Sequence, residues 1–156
     1  NWKMIPIINQ SLLEANTKYI AHQCNCVTSH SAGIAKRIFD KYPYANTYKD
    51  RRGTIDNQGT VHILGNGDEQ RYVINMYVQY YPGKPTHFDN YYNRLMYLKK
   101  CLNRISQISN LESIGFPFGM GCRLAGGKIE DYTEILEKFA EHVAKKNVKV
   151  LWYKYD

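Results

Sequence analysis

Long apolar runs are missing from this 156-residue sequence, so no stretch can cross a bilayer as a single helix. The first residues, Asn1-Trp2-Lys3-Met4-Ile5, lack the charged-then-apolar order of a secretory leader, and an intracellular protein with no membrane partner is expected. Cysteine is scarce. Cys24, Cys26, Cys101 and Cys122 are spaced for neither a disulfide framework nor a zinc ribbon. Cys24 and Cys26, with His22 or His30 nearby, could form half a metal site, but no second ligand pair follows at zinc-like spacing. Neither a metal nor a cofactor is expected, and the thiols are read as small hydrophobes. Internal repeats and low-complexity linkers are also lacking. A chain of this length with 44% apolar residues is read as one domain, 1–156, and a monomer.

Acidic residues are the minority, 14 against 21 Lys and Arg, which leaves a net charge of +7. Such a balance favours anionic partners such as nucleotides, phosphates or RNA. The basic clusters Lys36-Arg37, Lys49 to Arg52, Lys99-Lys100 and Lys145-Lys146 read individually as solvated faces.

Strand-like and helix-like segments alternate, the pattern of an α/β fold. Strands are expected at Met4–Ile8, Tyr19–Cys24, Gly59–Leu64, Tyr72–Tyr77, Ser113–Phe116 and Val148–Tyr153, all short and rich in branched or aromatic residues. Tyr91, Leu95, Leu98, Leu102 and Ile105 recur at spacings of four, three, four and three, which predicts a helix over Asp89–Ser106. Tyr132, Ile135, Leu136, Phe139 and Val143 form a second stripe ending near Asn147. A third helix starts around Ala32, carries Ile34, Ile38 and Phe39, and must stop before Pro43.

Two strand-to-helix loops are unusual. Residues 25–34, Asn-Cys-Val-Thr-Ser-His-Ser-Ala-Gly-Ile, lead a strand into a helix whose N-terminus offers free N–H groups to an anion. A Ser/Thr-capped helix start without a ligand would have the same composition. Residues 115–127 hold five glycines in thirteen positions, which suits a loop that brings backbone close to phosphate. The run is neither a dinucleotide fingerprint nor a P-loop, because neither the third glycine nor a Gly-Lys-Ser/Thr ending is present.

Three segments taken together resemble macro domains, closest to the subgroup of ADP-ribose-1″-phosphate phosphatases and deacylating ADP-ribosyl hydrolases. These are Tyr19 to Cys26 with Ser31 to Ala35, Val73 to Tyr80 with its Asn-x-x-x-Gln pattern, and Gly119 to Gly127. The resemblance spans nearly the whole chain. It implies a three-layer α/β/α domain with a mixed central sheet of about six strands, and ADP-ribose in a cleft at the strand ends. Position by position, it implies that Asn25 bonds the distal ribose and that Ser31, Ala32, Gly33 and Ile34 line one side of the diphosphate. Gly119, Met120, Gly121, Cys122, Arg123 and Leu124 would supply the other side, with Tyr155 or Tyr153 near adenine. The sequence departs from that pattern in three places. Ser11 stands where many members carry an aspartate that reads the adenine amino group, Ser31 replaces a glycine, and Ala125 replaces the aspartate of the deacylating hydrolases.

For chemistry, Asn25 and His30 are the catalytic candidates. A histidine such as His30 could act as acid or base, and Arg123 could clamp a terminal phosphate. Cys122, His22 and Asp131 rank lower, His22 because it lies in a strand and Asp131 because it is placed to cap a helix. The first reading is a phosphatase acting on ADP-ribose-1″-phosphate. Others are an ADP-ribosyl hydrolase acting on modified protein or nucleic acid, and a non-catalytic ADP-ribose reader. A more distant reading is an RNA-binding domain, but its tyrosines should share one sheet face. Here Tyr77, Tyr80 and Tyr81 follow a strand while Tyr91, Tyr92 and Tyr97 fall on a helix.

Overall fold

The computed structural model describes residues 5–51 and 56–155. Six strands and three helices alternate: β1 Ile7–Ile8, β2 Tyr19–Cys24, α1 Gly33–Lys41, β3 Val61–Leu64, β4 Tyr72–Tyr77, α2 Tyr91–Ser106, β5 Ser113–Pro117, α3 Ile129–Ala144 and β6 Lys149–Tyr153. The strands form one sheet in the order β1-β6-β5-β2-β4-β3. Every neighbouring pair is parallel except β3 with β4, which makes the sheet mixed.

The period-2 alternation of side chains divides the core between the two faces. Tyr19 and Ala21 of β2, with Ile74 and Met76 of β4, join Ile114, Phe116 and the apolar stripes of α2 and α3. Ile20 and Cys24, with Val73 and Tyr77, face the other way and join Ile38 and Phe39 of α1. Helices therefore cover both faces, which gives the three layers expected. β2 is buried along its whole length, as a central parallel strand must be.

Strands β2 and β4 have the bounds expected from sequence, and other elements differ for local reasons. Of the expected Met4–Ile8 strand, Ile7–Ile8 is paired; Pro6, which has no N–H, offers its carbonyl to the Trp152 amide just before it. Met4 lies outside the described residues. β3 begins at Val61 because Gly59, at φ 83°, is still turning. The α2 start moves to Tyr91 because Asn90 caps it, accepting from the Asn93 amide at 2.9 Å. The last helix stops at Ala144 instead of near Asn147. Asn147 takes φ 60° and Val148 N–H bonds back to the Val143 carbonyl, the left-handed ending that asparagine tolerates. Asp131 is not the cap of α3. Lys128 holds that place without a side-chain bond, and Asp131 sits in the first turn, accepting the Tyr91 hydroxyl at 2.9 Å.

Candidate functional site

The loops that leave β2, β4, β5 and β6 at their C-terminal ends surround a cavity of about 380 Å³. Sheet order fixes its ends. Ser11, Tyr153 and Tyr155 stand over β1 and β6, residues 117–125 over β5, and Asn25 and Gln79 over β2 and β4. Ser11, Asn25, His30, Ala32, Gly33, Ile34, Gly119, Met120, Gly121, Arg123, Leu124 and Tyr155 all line this cavity. Gly33 and Leu124 approach across it, since a Cβ on Gly33 would lie 3.9 Å from Leu124 Cδ1. A second hollow, about 350 Å³, lies between α2 and α3 around Lys99, Glu134 and His142. It is walled by helix flanks, whose backbone N–H groups are spent within the helices.

The first loop is built around the Asn25 side chain. Its Oδ1 accepts from the Val27 and Thr28 amides, both at 3.0 Å, and from Arg51 Nη1 at 3.2 Å; the Thr28 hydroxyl shares its proton between this oxygen and the His30 carbonyl. Three N–H donors converging on one atom admit only the carbonyl oxygen there, so the amide orientation is fixed and Nδ2 is left without a protein partner among the described residues. The Asn25 backbone N–H donates to the Tyr48 hydroxyl at 2.8 Å. The start of α1 carries no side-chain cap. Ala32 occupies the cap position, and the N–H groups of Gly33, Ile34 and Ala35 have no acceptor among the described residues. The Ser/Thr-capped alternative is therefore not what the chain forms. Ser31, expected to line the cleft, stands one residue before the cap and outside the lining.

The second loop alternates spent and free amides. Met120, Cys122, Gly126 and Gly127 donate to the carbonyls of Pro117, Gly119, Arg123 and Gly121, closing successive turns. Gly119, Gly121, Arg123 and Leu124 N–H groups have no protein acceptor among the described residues. The expectation that residues 119 to 124 would all present amides is thus corrected at Met120 and Cys122. Cys122 is outside the lining, its Sγ 3.5 Å from the Met120 carbonyl, and burial pushes its thiol up to about 11. A neutral thiol turned inward is no nucleophile.

Buried polar chains hold these loops from below. Tyr132 Oη donates to Gln23 Oε1 at 2.7 Å, Gln23 Nε2 to Gln79 Oε1 at 2.8 Å, and Gln79 Nε2 to the Tyr81 carbonyl at 2.9 Å. Gly121 lies directly on this relay, where a Cβ would come within 2.5 Å of Gln23 Oε1. Arg94, 1% exposed, pairs with Asp89 at 2.7 Å and donates to the carbonyls of Gly83 and Tyr81, with a longer bond to Ala125. It ties the 80–89 segment to the second loop. Burial opposes the charge on Asp89, but hydrogen bonds from Arg94 and the Tyr81 and Tyr80 amides outweigh it and hold the carboxyl below its usual range.

The lining of the cavity is cationic. Arg37 and Arg123 supply the charge, His30 also lines it, and among the described residues no aspartate, glutamate, lysine or cysteine does. All three are exposed at the rim. Arg37 stacks over Tyr155 with its guanidinium carbon 5.2 Å from the ring centre, next to the buried Tyr153. His22 is elsewhere, buried under the sheet and bonded to Asn75 at 2.7 Å, where burial lowers its pKa to about 4. Among the described residues no group of three His, Cys, Asp or Glu could hold a metal ion. Sequence reasoning missed Gln23, Arg37, Tyr48, Arg51, Pro82 and Gly83. Arg51 was hidden in what read as a solvated basic cluster, although its side chain is 3% exposed.

This α/β/α fold is shared with solved macrodomain structures. Solved structures with the same fold include the macrodomain of Mycobacterium tuberculosis DarG, 22% identical, TM-score 0.73, covering 96% of this chain and 97% of that one. A Bacteroides thetaiotaomicron protein is 21% identical with TM-score 0.74 over 96% and 99% of the two chains. The Trypanosoma brucei macrodomain in complex with ADP-ribose is 16% identical with TM-score 0.65, over 97% of this chain and 63% of that one. No protein-family model and no curated protein matches the chain.

Proposed function

We propose that the cleft binds ADP-ribose. The observation that carries this reading is a pair of backbone amide sets facing each other across one cavity, the α1 start on one side and Gly119, Gly121, Arg123 and Leu124 on the other. Free N–H groups at fixed positions, with no carboxylate in the lining, suit a diphosphate. Adenine stacks at the Tyr155 and Ser11 end, and the distal ribose meets Asn25 Nδ2 and Gln79. Calorimetry with ADP-ribose, ADP and AMP tests the assignment. Saturable 1:1 binding that weakens from ADP-ribose to AMP is expected, and no heat with any of the three refutes it.

A narrower reading is hydrolysis of ADP-ribose-1″-phosphate. It is favoured by His30 and Arg123, two cationic or protonatable groups in the cavity lining, with no acidic neighbour in that lining to repel a phosphate dianion. In this reaction water adds to phosphorus, the P–O1″ bond breaks, and ADP-ribose leaves as the 1″-alcohol, with His30 the candidate acid. A phosphate-release assay decides. Release lost in His30→Ala supports it. Tight binding without release leaves a reader of ADP-ribose, and release of ADP-ribose from modified protein or nucleic acid instead makes the chain an ADP-ribosyl hydrolase.

A further inference from the structure

We infer that Arg51 is a positioning residue for the distal-ribose end of the cleft, acting entirely through the Asn25 amide; the inference rests on the ADP-ribose reading above. Arg51 does not line the cavity, yet its guanidinium is spent on the loop that does. Nη1 donates to Asn25 Oδ1 at 3.2 Å and to the Thr28 carbonyl at 2.8 Å, and Nη2 donates to the Asn25 carbonyl at 2.5 Å. Nε and Nη2 also reach Asp56 Oδ2 at 3.1 and 2.9 Å, while the guanidinium carbon sits over Tyr48, 4.1 Å from the ring centre. Tyr48 itself accepts the Asn25 backbone N–H. Asn25 is thus gripped at its N–H by Tyr48, and at its backbone carbonyl and side-chain oxygen by Arg51.

What this grip leaves free is Nδ2, the one group of Asn25 able to reach a ligand. A planar fork with parallel N–H groups holds backbone carbonyl and side-chain carbonyl of one residue at once in a fixed geometry; an ammonium, whose donors leave a single nitrogen, does not reproduce that parallel pair. The arrangement therefore fixes which end of the amide faces the cleft before any ligand arrives, and a ligand hydroxyl pays no ordering cost for it. The effect is confined to ligands that extend to Asn25. ADP-ribose does, and ADP, which lacks the distal ribose, does not.

The experiment is a calorimetric double-mutant cycle with Arg51→Met and Asn25→Ala, each titrated with ADP-ribose and ADP. Met keeps an apolar stem on Tyr48, and Asp56, 31% exposed, stays hydrated. Arg51→Met is expected to weaken ADP-ribose about 10-fold while leaving ADP within about 2-fold, and to have no further effect in the Asn25→Ala background. Arg51→Lys should recover less than half of the loss. Equal losses for ADP and ADP-ribose, or losses that add in the double variant, overturn the inference. Should the wild-type chain bind neither ligand, the function reading fails on its own. Amide hydrogen exchange then decides for Arg51: Val27 and Thr28 lose protection in Arg51→Met if it orders the Asn25 turn, and unchanged protection overturns the claim. Should Arg51→Met not fold, Arg51→Lys carries the same comparison.

Discussion

Replacing Gly121 by alanine separates two costs that the second loop combines. Gly119 and Gly121 both hold left-handed backbone, at φ 79° and 75°. An L-residue in that conformation costs about 1–2 kcal/mol, partly offset by about 0.4–1 kcal/mol from the stiffer unfolded chain. The two positions share this cost but differ in their surroundings. A Cβ at Gly119 meets nothing within 4 Å, whereas one at Gly121 strikes the Tyr132 hydroxyl and, at 2.5 Å, Gln23 Oε1. Those atoms belong to a buried relay with nowhere to retreat, and overpacking of that kind costs about 1–3 kcal/mol. Gly121→Ala should therefore be less stable than Gly119→Ala by about 2 kcal/mol, or about 4–8 °C in Tm for a domain of this size. Urea unfolding followed by far-UV circular dichroism measures it. In a Tyr132→Phe background, where the closest obstructing atom is gone, the gap should narrow. Binding should rank the other way: Gly119→Ala puts its methyl into the cavity and weakens ADP-ribose at little cost in stability. Equal stabilities of the two variants, or a gap indifferent to Tyr132→Phe, would refute the packing argument.

Gly33→Glu should abolish ADP-ribose binding while leaving a cooperative unfolding transition. The position is left-handed, at φ 57°, so the variant loses about 1–2 kcal/mol of stability, but it has room, its nearest non-neighbour being Leu124 Cδ1, and the new carboxylate opens onto the phosphate side of the cleft; unchanged affinity would remove this loop from the site. Asp89→Asn should cost about 3–5 kcal/mol, because it strands the buried Arg94 guanidinium without its countercharge, and a urea midpoint close to wild type would contradict that. His22 makes stability depend on pH. Its folded pKa, about 4, lies below the unfolded value of 6.5, so its contribution is complete above pH 6.5 and lost as pH falls toward 4. The loss is about 3 kcal/mol over that window. Urea titrations at pH 7 and 4 should show a smaller drop for His22→Leu than for wild type, and identical drops would place the acid sensitivity elsewhere.

What could be read from sequence follows from how local each cause is. β2 and β4 were legible because a strand buried on both faces is a short run of branched and aromatic residues, whatever lies around it. The glycine-rich loop was legible because positive φ leaves a compositional trace. Helix ends were less so: the expected start of α2 at Asp89 gives way to Tyr91, because Asp89 is committed to Arg94 and Asn90 caps instead. The supports of the site were illegible for a different reason. Gln23 meets Gln79 across 56 positions and Tyr132 across 109, and Arg51 meets Asn25 across 26. Nothing in the residue types Gln, Tyr or Arg signals a partner so distant, and Arg51 sits in a basic run that looks solvated.

The same topology sets what chemistry the cleft can carry. β2 and β4 are in register from Tyr19 with Tyr72 to Cys24 with Tyr77, so the loops bearing Asn25 and Gln79 leave the sheet side by side. Their amides are fixed by protein partners, Asn25 keeping Nδ2 free among the described residues while Gln79 is committed at Oε1 to Gln23 and at Nε2 to the Tyr81 carbonyl, and neither can take or release a proton near neutrality. The described lining holds neither a carboxylate nor a lysine, Ala125 standing buried where the resemblance places the aspartate of the deacylating hydrolases, and His30 and Arg123 stand at the rim. On the ADP-ribose reading, the phosphates and the distal ribose would be met by backbone amides and the Asn25 amide. No carboxylate, lysine or thiol nucleophile stands in that described lining, so a hydrolysis there would use water directly, with His30, on the reading proposed above, moving the proton. A reaction of that kind should form no enzyme-bound adduct, and mass spectrometry of the chain after incubation with substrate should find unmodified protein.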